Sequence, residues 1–137
     1  DPEAADIVFR ADVKKILNPI DVCNDMPIFL SDFDKLEKTS FYKPLINMMK
    51  HFIQGIEKYE GVQGALVYDA VAAYYLVNPK AFTLESMDVL VEARGEHTFG
   101  MTIAEKRKAE KKQYNIRVVR SVDKNKFRKG FVAILKK

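Results

Sequence analysis

The stretch GALVYDAVAAYYLVNP, from Gly64 to Pro79, is apolar almost throughout and carries a single acid, Asp69. Burying a carboxylate without a partner costs on the order of several kcal/mol, so an acid in this setting needs a reason. Three reasons are open: a helix cap, a buried ion pair, or a metal ligand. If a helix begins at Ala70, Asp69 sits at the cap position and its carboxylate can accept the amide of residue 71 or 72. A cap can also hold an oxygen ligand in place, so the first and third readings are compatible. Tyr68, next to it, would carry a phenol hydroxyl into the same place.

The remaining reactive residues are few. Cys23 is the only cysteine, which excludes an internal disulfide and a cysteine-rich zinc site and fits a reducing, cytoplasmic setting. Nothing local places Cys23 beside His51 or His97, so a thiol–imidazole pair has no support. There is no glycine-rich phosphate loop, no paired histidine–carboxylate metal spacing and no nucleophile elbow. No apolar run is long enough to span a bilayer and no signal-peptide pattern opens the chain, so no membrane partner is expected.

Charge is unevenly placed within a net +4: residues 1–34 are acidic and the chain from Lys106 onward is strongly basic. A basic tail can attract nucleic acid by releasing counterions. Stacking needs exposed aromatic rings as well, and only Tyr114 lies close to Lys106–Lys112. A solvated face is the simpler reading. A small basic nucleic-acid-binding module and a non-catalytic structural remnant are the alternative functions.

The elements that would position these residues follow from periodicity. With 137 residues, 47% of them apolar and 31% charged, the chain suits one soluble globular domain, residues 1–137. DPEAADIVF is a capped helix start, with Pro2 at the first helical position and Glu3 in the first turn. Opening there without a methionine is expected of a piece of something longer. A strand, or a helix end leading into one, falls in KKILNPIDVC. Ser31 is a candidate cap for a brief helix. KPLINMMKHFIQGIEKYEG reads as a longer helix ended by Gly61, with Leu45, Met48, Met49, Phe52, Ile53 and Ile56 as its core stripe and His51 on the surface. A helix over 70–77 stops at Asn78–Pro79. FTLESMDVLVEA alternates as one strand, RGEHTFGMTI turns into another, EKRKAEKKQ is a polar connection and NIRVVRSV is a strand. Asp123 caps a final helix with Phe127, Phe131 and Ile134 on one face. Strands alternating with helices indicate an α/β fold.

Five blocks taken in order, DPEAADIVF, PIDV, VYDAVAAYYLVNPKAF, VLVEARGEHTFGMT and NIRVVRSVDKNKF, resemble the C-terminal part of the inosine–uridine nucleoside hydrolase family. In that family a D-P-E-A-A helix start precedes a strand ending near L-D-V, then an H-D-P/A-x-A-V-A-Y-L helix. A V-E-x-x-G-E-L-T-R-G-M-T strand pair and a V-x-V-A-x-x-V-D-x-x-x-F segment follow. The blocks span nearly all of the chain.

The resemblance implies a mixed α/β fold, with a Rossmann-like sheet flanked by helices, of which this chain is the C-terminal segment. It also implies hydrolysis of the N-glycosidic bond of ribonucleosides to base and ribose. One calcium ion is implied, held by an N-terminal D-x-D-x-G-x-D-D cluster together with the aspartate matched here by Asp69. That ion contacts the ribose hydroxyls and lowers the pKa of the attacking water, and an N-terminal aspartate is the general base. The implied partners are the ribonucleoside, the N-terminal part of the same enzyme, and further copies in a homo-oligomer. Nucleic acid is not among them. Four departures stand out. The aspartate cluster and the E-F-N substrate segment are absent, and His97 and Phe99 replace the usual Leu and Arg. Tyr68 occupies the position where many members carry a histidine that protonates the leaving base. A phenol with a pKa of about 10 is a poor proton source at neutral pH.

Overall fold

The computed structural model describes residues 1–107 and 115–136. Most of the expected polar connection, and Lys108–Lys112 of the basic run with Tyr114, lie outside the described residues. The chain divides into two compact units: Asp1–Leu17 with Leu84–Arg120, and Asn18–Thr83 with Ser121–Lys137.

In the first unit, Asp1 caps helix α1 (Pro2–Arg10), its Oδ1 accepting the Ala4 amide at 2.9 Å. Pro2 falls in the first turn, where its missing N–H would have had no helical partner. A three-stranded sheet has the order β1 (Ile16–Leu17), β5 (Ile116–Val122), β2 (Phe82–Met87), and β1 runs parallel to β5 with Ile16 opposite Arg117. The strand expected across FTLESMDVLVEA is two strands, β2 and β3 (Val89–Val91), broken at Asp88. The break has a cause. The Asn115 side chain takes both backbone groups of Val89, accepting its N–H at 3.0 Å and donating to its carbonyl at 2.9 Å. An amide side chain there stands in for a neighbouring strand. Beyond it, β3 pairs antiparallel with β4 (Thr102–Ala104) across a turn in which Gly100 takes φ 85°. Val89, Ile116 and Val118 form the buried centre of this unit, with Phe9 of α1, Leu17, Met87 and Ala104 packed around them.

The second unit holds helices α2 (Ile20–Asn24), α3 (Tyr42–Glu60), α4 (Tyr68–Val77) and α5 (Lys124–Leu135), with a 3₁₀ turn at Leu30–Leu36. Ser31 lies inside that turn and does not cap it; the cap residue is Phe29, whose amide donates to the Asp32 carboxylate at 2.8 Å. Gly61 ends α3 at φ 68°, the left-handed geometry that glycine adopts without strain. Of the expected α3 stripe only Met49 is fully buried, while Met48 and Phe52 are exposed. The helix packs on the 3₁₀ turn, and only part of the stripe is covered. His51 is exposed, as expected. Asp123 caps α5 through the Lys126 amide at 3.0 Å, and the same contact holds its carboxyl below the usual carboxylate range. Phe127 is fully buried and Phe131 half-buried, but Ile134 of the expected face is exposed and Val132 is buried instead. None of the described helices is long and apolar enough to cross a membrane.

The centre of the second unit is a ring cluster. Tyr74 of α4 stands edge-on to Phe127 of α5 at 5.4 Å, and its hydroxyl donates to the Lys126 carbonyl and accepts from the Asn78 amide, both at 3.0 Å. The ring approaches the α5 backbone so closely that a Cβ on Gly130 would stand 2.6 Å from Cζ and overlap Oη. Helix propensity alone would favour Gly130→Ala by about 1 kcal/mol. Overpacking against a ring held at both ends costs about 1–3 kcal/mol and should win. Gly130→Ala is therefore expected to lower the thermal midpoint by several degrees. A raised midpoint in a calorimetric scan would show that Tyr74 is free to move aside.

Candidate functional site around Asp69

Asp69 does not cap its helix. Helix α4 begins at Tyr68, its cap residue is Val67, and no side chain caps it. The reason lies upstream. Ile28 and Ala65 exchange both backbone hydrogen bonds, at 3.0 and 2.8 Å, and Leu66 is buried, so the pinned chain turns into helix directly after Val67. Gly64 allows this approach. It takes φ 100°, and a Cβ there would lie 3.0–3.1 Å from Pro27, Ile28 and Phe29. Asp69 thus occupies the first turn, where the helix dipole favours a negative charge.

The side chain is exposed and accepts no hydrogen bond from any described residue. The apolar stretch around it is not a closed interior either, since Leu76 and Val77 at its far end are exposed. Neither the cap nor the buried ion pair therefore explains Asp69. Two uncommitted carboxylate oxygens at a helix start suit a hard cation, which takes six to eight oxygen ligands if it is calcium. Asp69 fits as one donor of such a set. Among the described residues no group of three or more His, Cys, Asp or Glu could hold a metal ion together.

Tyr68 is half-buried and donates its hydroxyl to Glu60 Oε2 at 3.4 Å, across the loop between α3 and α4. Burial of the phenol pushes its pKa up, and the charge of Glu60 and the hydrogen bond to it push the same way. A phenol with a raised pKa is a still poorer acid, and one whose proton faces Glu60 offers an approaching group lone pairs rather than a proton. Glu60 was not visible as a site residue in the sequence; its position as the last residue of α3, eight before Tyr68, was the available signal.

Cys23 lies within electrostatic reach of both Tyr68 and Asp69. It is buried, and its sulfur accepts the Asn18 amide at 3.1 Å. Burial raises its pKa, the Asn18 hydrogen bond opposes this, and the charge of Asp69 adds to the rise. The Asn18 Oδ1 atom is buried with no partner among the described residues. Neither histidine joins this group: His51 is exposed on α3, and His97 and Phe99 are exposed in the turn between β3 and β4, in the other unit.

The fold is mixed α/β, and an acid in the first turn of α4 stands beside a phenol. A family model described as inosine-uridine preferring nucleoside hydrolase matches residues 1–129, and the chain belongs to that family. The non-specific ribonucleoside hydrolase RihC of Salmonella enteritidis is 35% identical over 108 residues, covering 77% of this chain and 33% of that protein. The structure of a purine-preferring ribonucleoside hydrolase from Gardnerella vaginalis superposes with a TM-score of 0.83 at 24% identity, over 99% of this chain and 45% of the other. A plant nucleoside hydrolase superposes at 0.80 and 19% identity, over 96% and 44%. These structures share the fold. The chain spans about a third of the length of the curated relatives it matches.

The buried thiol generates a prediction. Cys23 should resist alkylation by iodoacetamide at neutral pH in the folded protein and react fully once unfolded, read by mass spectrometry. Because its folded pKa is raised, the native state holds the proton longer than the unfolded chain does. Stability from this source is present below the ordinary thiol pKa of 9.0 and is lost as pH rises through the folded value. The fall in unfolding free energy above that pH should be shallower in Cys23→Ala.

Proposed function

We propose that the protein carrying this chain hydrolyses the N-glycosidic bond of ribonucleosides to base and ribose. In this reading the chain is the C-terminal segment of a nucleoside hydrolase domain. The observation that carries it is the uncommitted Asp69 carboxylate at the start of α4, beside Tyr68, in a chain whose family match runs over residues 1–129. Asp69 is a calcium ligand in this reading, and the remaining ligands and the general base come from N-terminal aspartates outside this chain. Calcium, when bound, supplies a water of lowered pKa and a contact for the ribose hydroxyls. Asp69 offers oxygen donors without first breaking a hydrogen bond of its own. Tyr68, its hydroxyl directed at Glu60, borders the leaving base and contributes ring contact and an acceptor rather than a proton. Departure of the base then depends on stabilising an oxocarbenium-like transition state.

A cytoplasmic setting and assembly into a homo-oligomer belong to the same proposal. The single unpaired cysteine supports the first. Leu90 and Ile103, opposite one another in register and both about half exposed, support the second, since paired apolar side chains on an outer sheet face favour association.

In the full-length protein, Asp69→Asn should abolish most nucleoside cleavage and weaken calcium binding while the circular dichroism spectrum is kept. Wild-type turnover together with wild-type calcium affinity would refute the assignment. Tyr68→Phe, which keeps the ring, should cost less than about tenfold in rate, or ~1.4 kcal/mol; a loss of several thousandfold would make the hydroxyl a catalytic acid after all.

Residues 1–137 alone should release no ribose, bind calcium weakly and self-associate, and should regain metal binding before activity when the N-terminal portion is added. A monomeric 137-residue chain that cleaves nucleosides would contradict this division of the site.

A further inference from the structure

The second unit also contains a cationic groove between the 3₁₀ turn Leu30–Leu36 and α5, of about 320 Å³. Lys35, Arg128, Lys129 and Lys136 line it, and the only carboxylate among its lining residues is Asp32. One oxygen of that carboxylate is already engaged by the Phe29 amide. None of the four cations has an ion-pair partner among the described residues.

Arg128 is the fixed member of the group. It is half-buried, its Nε donates to the Pro27 carbonyl at 2.9 Å, and its guanidinium lies 4.8 Å over the Phe29 ring. The platform beneath it is rigid for a stated reason: Pro27–Phe29 is held by the Ile28–Ala65 hydrogen bonds and by contact with Gly64. One edge of the guanidinium is spent on this platform. The two terminal nitrogens have no partner among the described residues, and their planar fork matches two oxygens of one oxyanion. Lys35, Lys129 and Lys136 add flexible point charges, the Ser31 hydroxyl adds a donor, and Val132 and Ala133 contribute an aliphatic wall.

We infer that this groove is a binding site for the phosphoryl group of a small molecule, with Arg128 as its oriented anchor and the three lysines as its charge. A tetrahedral dianion offsets most of the groove's excess positive charge and takes more donors than a single carboxylate could. The open groove has room for a phosphate or a small phosphate monoester.

The test is isothermal titration of the full-length protein with inorganic phosphate, at constant ionic strength with chloride as the balancing anion so that general screening is held fixed. Saturable binding at one site is expected. Arg128→Lys keeps the charge but loses the fork, and should weaken binding by about tenfold. Lys129→Gln with Lys136→Gln, both on exposed positions, should weaken it without altering the fold, which keeps the test valid if the Arg128 variant misfolds. Asp32→Asn, read in the same titration, should tighten binding by removing the one opposing charge. A parallel titration with glycerol 3-phosphate separates the sources: tighter binding than phosphate assigns the groove to a monoester, equal binding to the free ion. No binding beyond chloride, or binding untouched by both the arginine and the lysine variants, would overturn the site.

Discussion

The Tyr74 ring is the contact on which the second unit depends. It stands on α4, packs edge-on against Phe127 of α5 and lies 6.2 Å from Phe82, while its hydroxyl bridges Asn78 and the Lys126 carbonyl. A buried phenol must have its hydroxyl satisfied, and here Asn78, just past the end of α4, and the Lys126 carbonyl of α5 satisfy it. The same side chain therefore supplies apolar burial and fixes how α4 lies on α5. Gly130 is a consequence: only a residue without a Cβ lets the ring approach the α5 backbone this closely. Since α4 also carries Tyr68 and Asp69 at its other end, the position of the site residues within the unit is inherited from this aromatic contact.

A second constraint acts at the start of α4. The short pairing of Ile28 with Ala65 serves two neighbours at once. It pins the chain before Tyr68 and so decides where the helix begins, and it steadies the segment that holds Arg128. Two polar features of different character thus rest on one pair of backbone hydrogen bonds. Around Asp69 the result is an exposed acid that accepts no hydrogen bond from the described residues; around Arg128 it is an oriented cation with no ion-pair partner among them.

Much of the fold was legible in the residues because local rules decide it. Asp1 and Asp123 announce helices by capping chemistry, Gly61 announces an end, and the β-branched run Ile116–Val122 announces a strand; each of these signals acts over a few residues. Legibility failed where a distant group intervened. Asn115 binds Val89, next to the break at Asp88, from 26 positions away in the chain, and nothing in FTLESMDVLVEA itself could show it. The α3 stripe has helical spacing, but spacing says which residues share a face and not how far the neighbouring turn reaches across it. The acid at Asp69 was conspicuous in an apolar stretch, yet its apparent burial dissolved once the exposure of the surrounding residues was seen.

By itself, the sequence determined the chain's family, its α/β character, most of its helix boundaries and Asp69 as the residue to watch. These rest on residue identity and short-range hydrogen bonding, which a linear string preserves. Tertiary structure alone decided that Asp69 lies in the first turn rather than at the cap. It also decided that Tyr68 faces Glu60, that Cys23 is buried beside Asn18, and that four cations gather around one groove. Each of those facts depends on which surfaces close against one another, and burial, hydrogen-bond partnership and the summing of charge are properties of that closure.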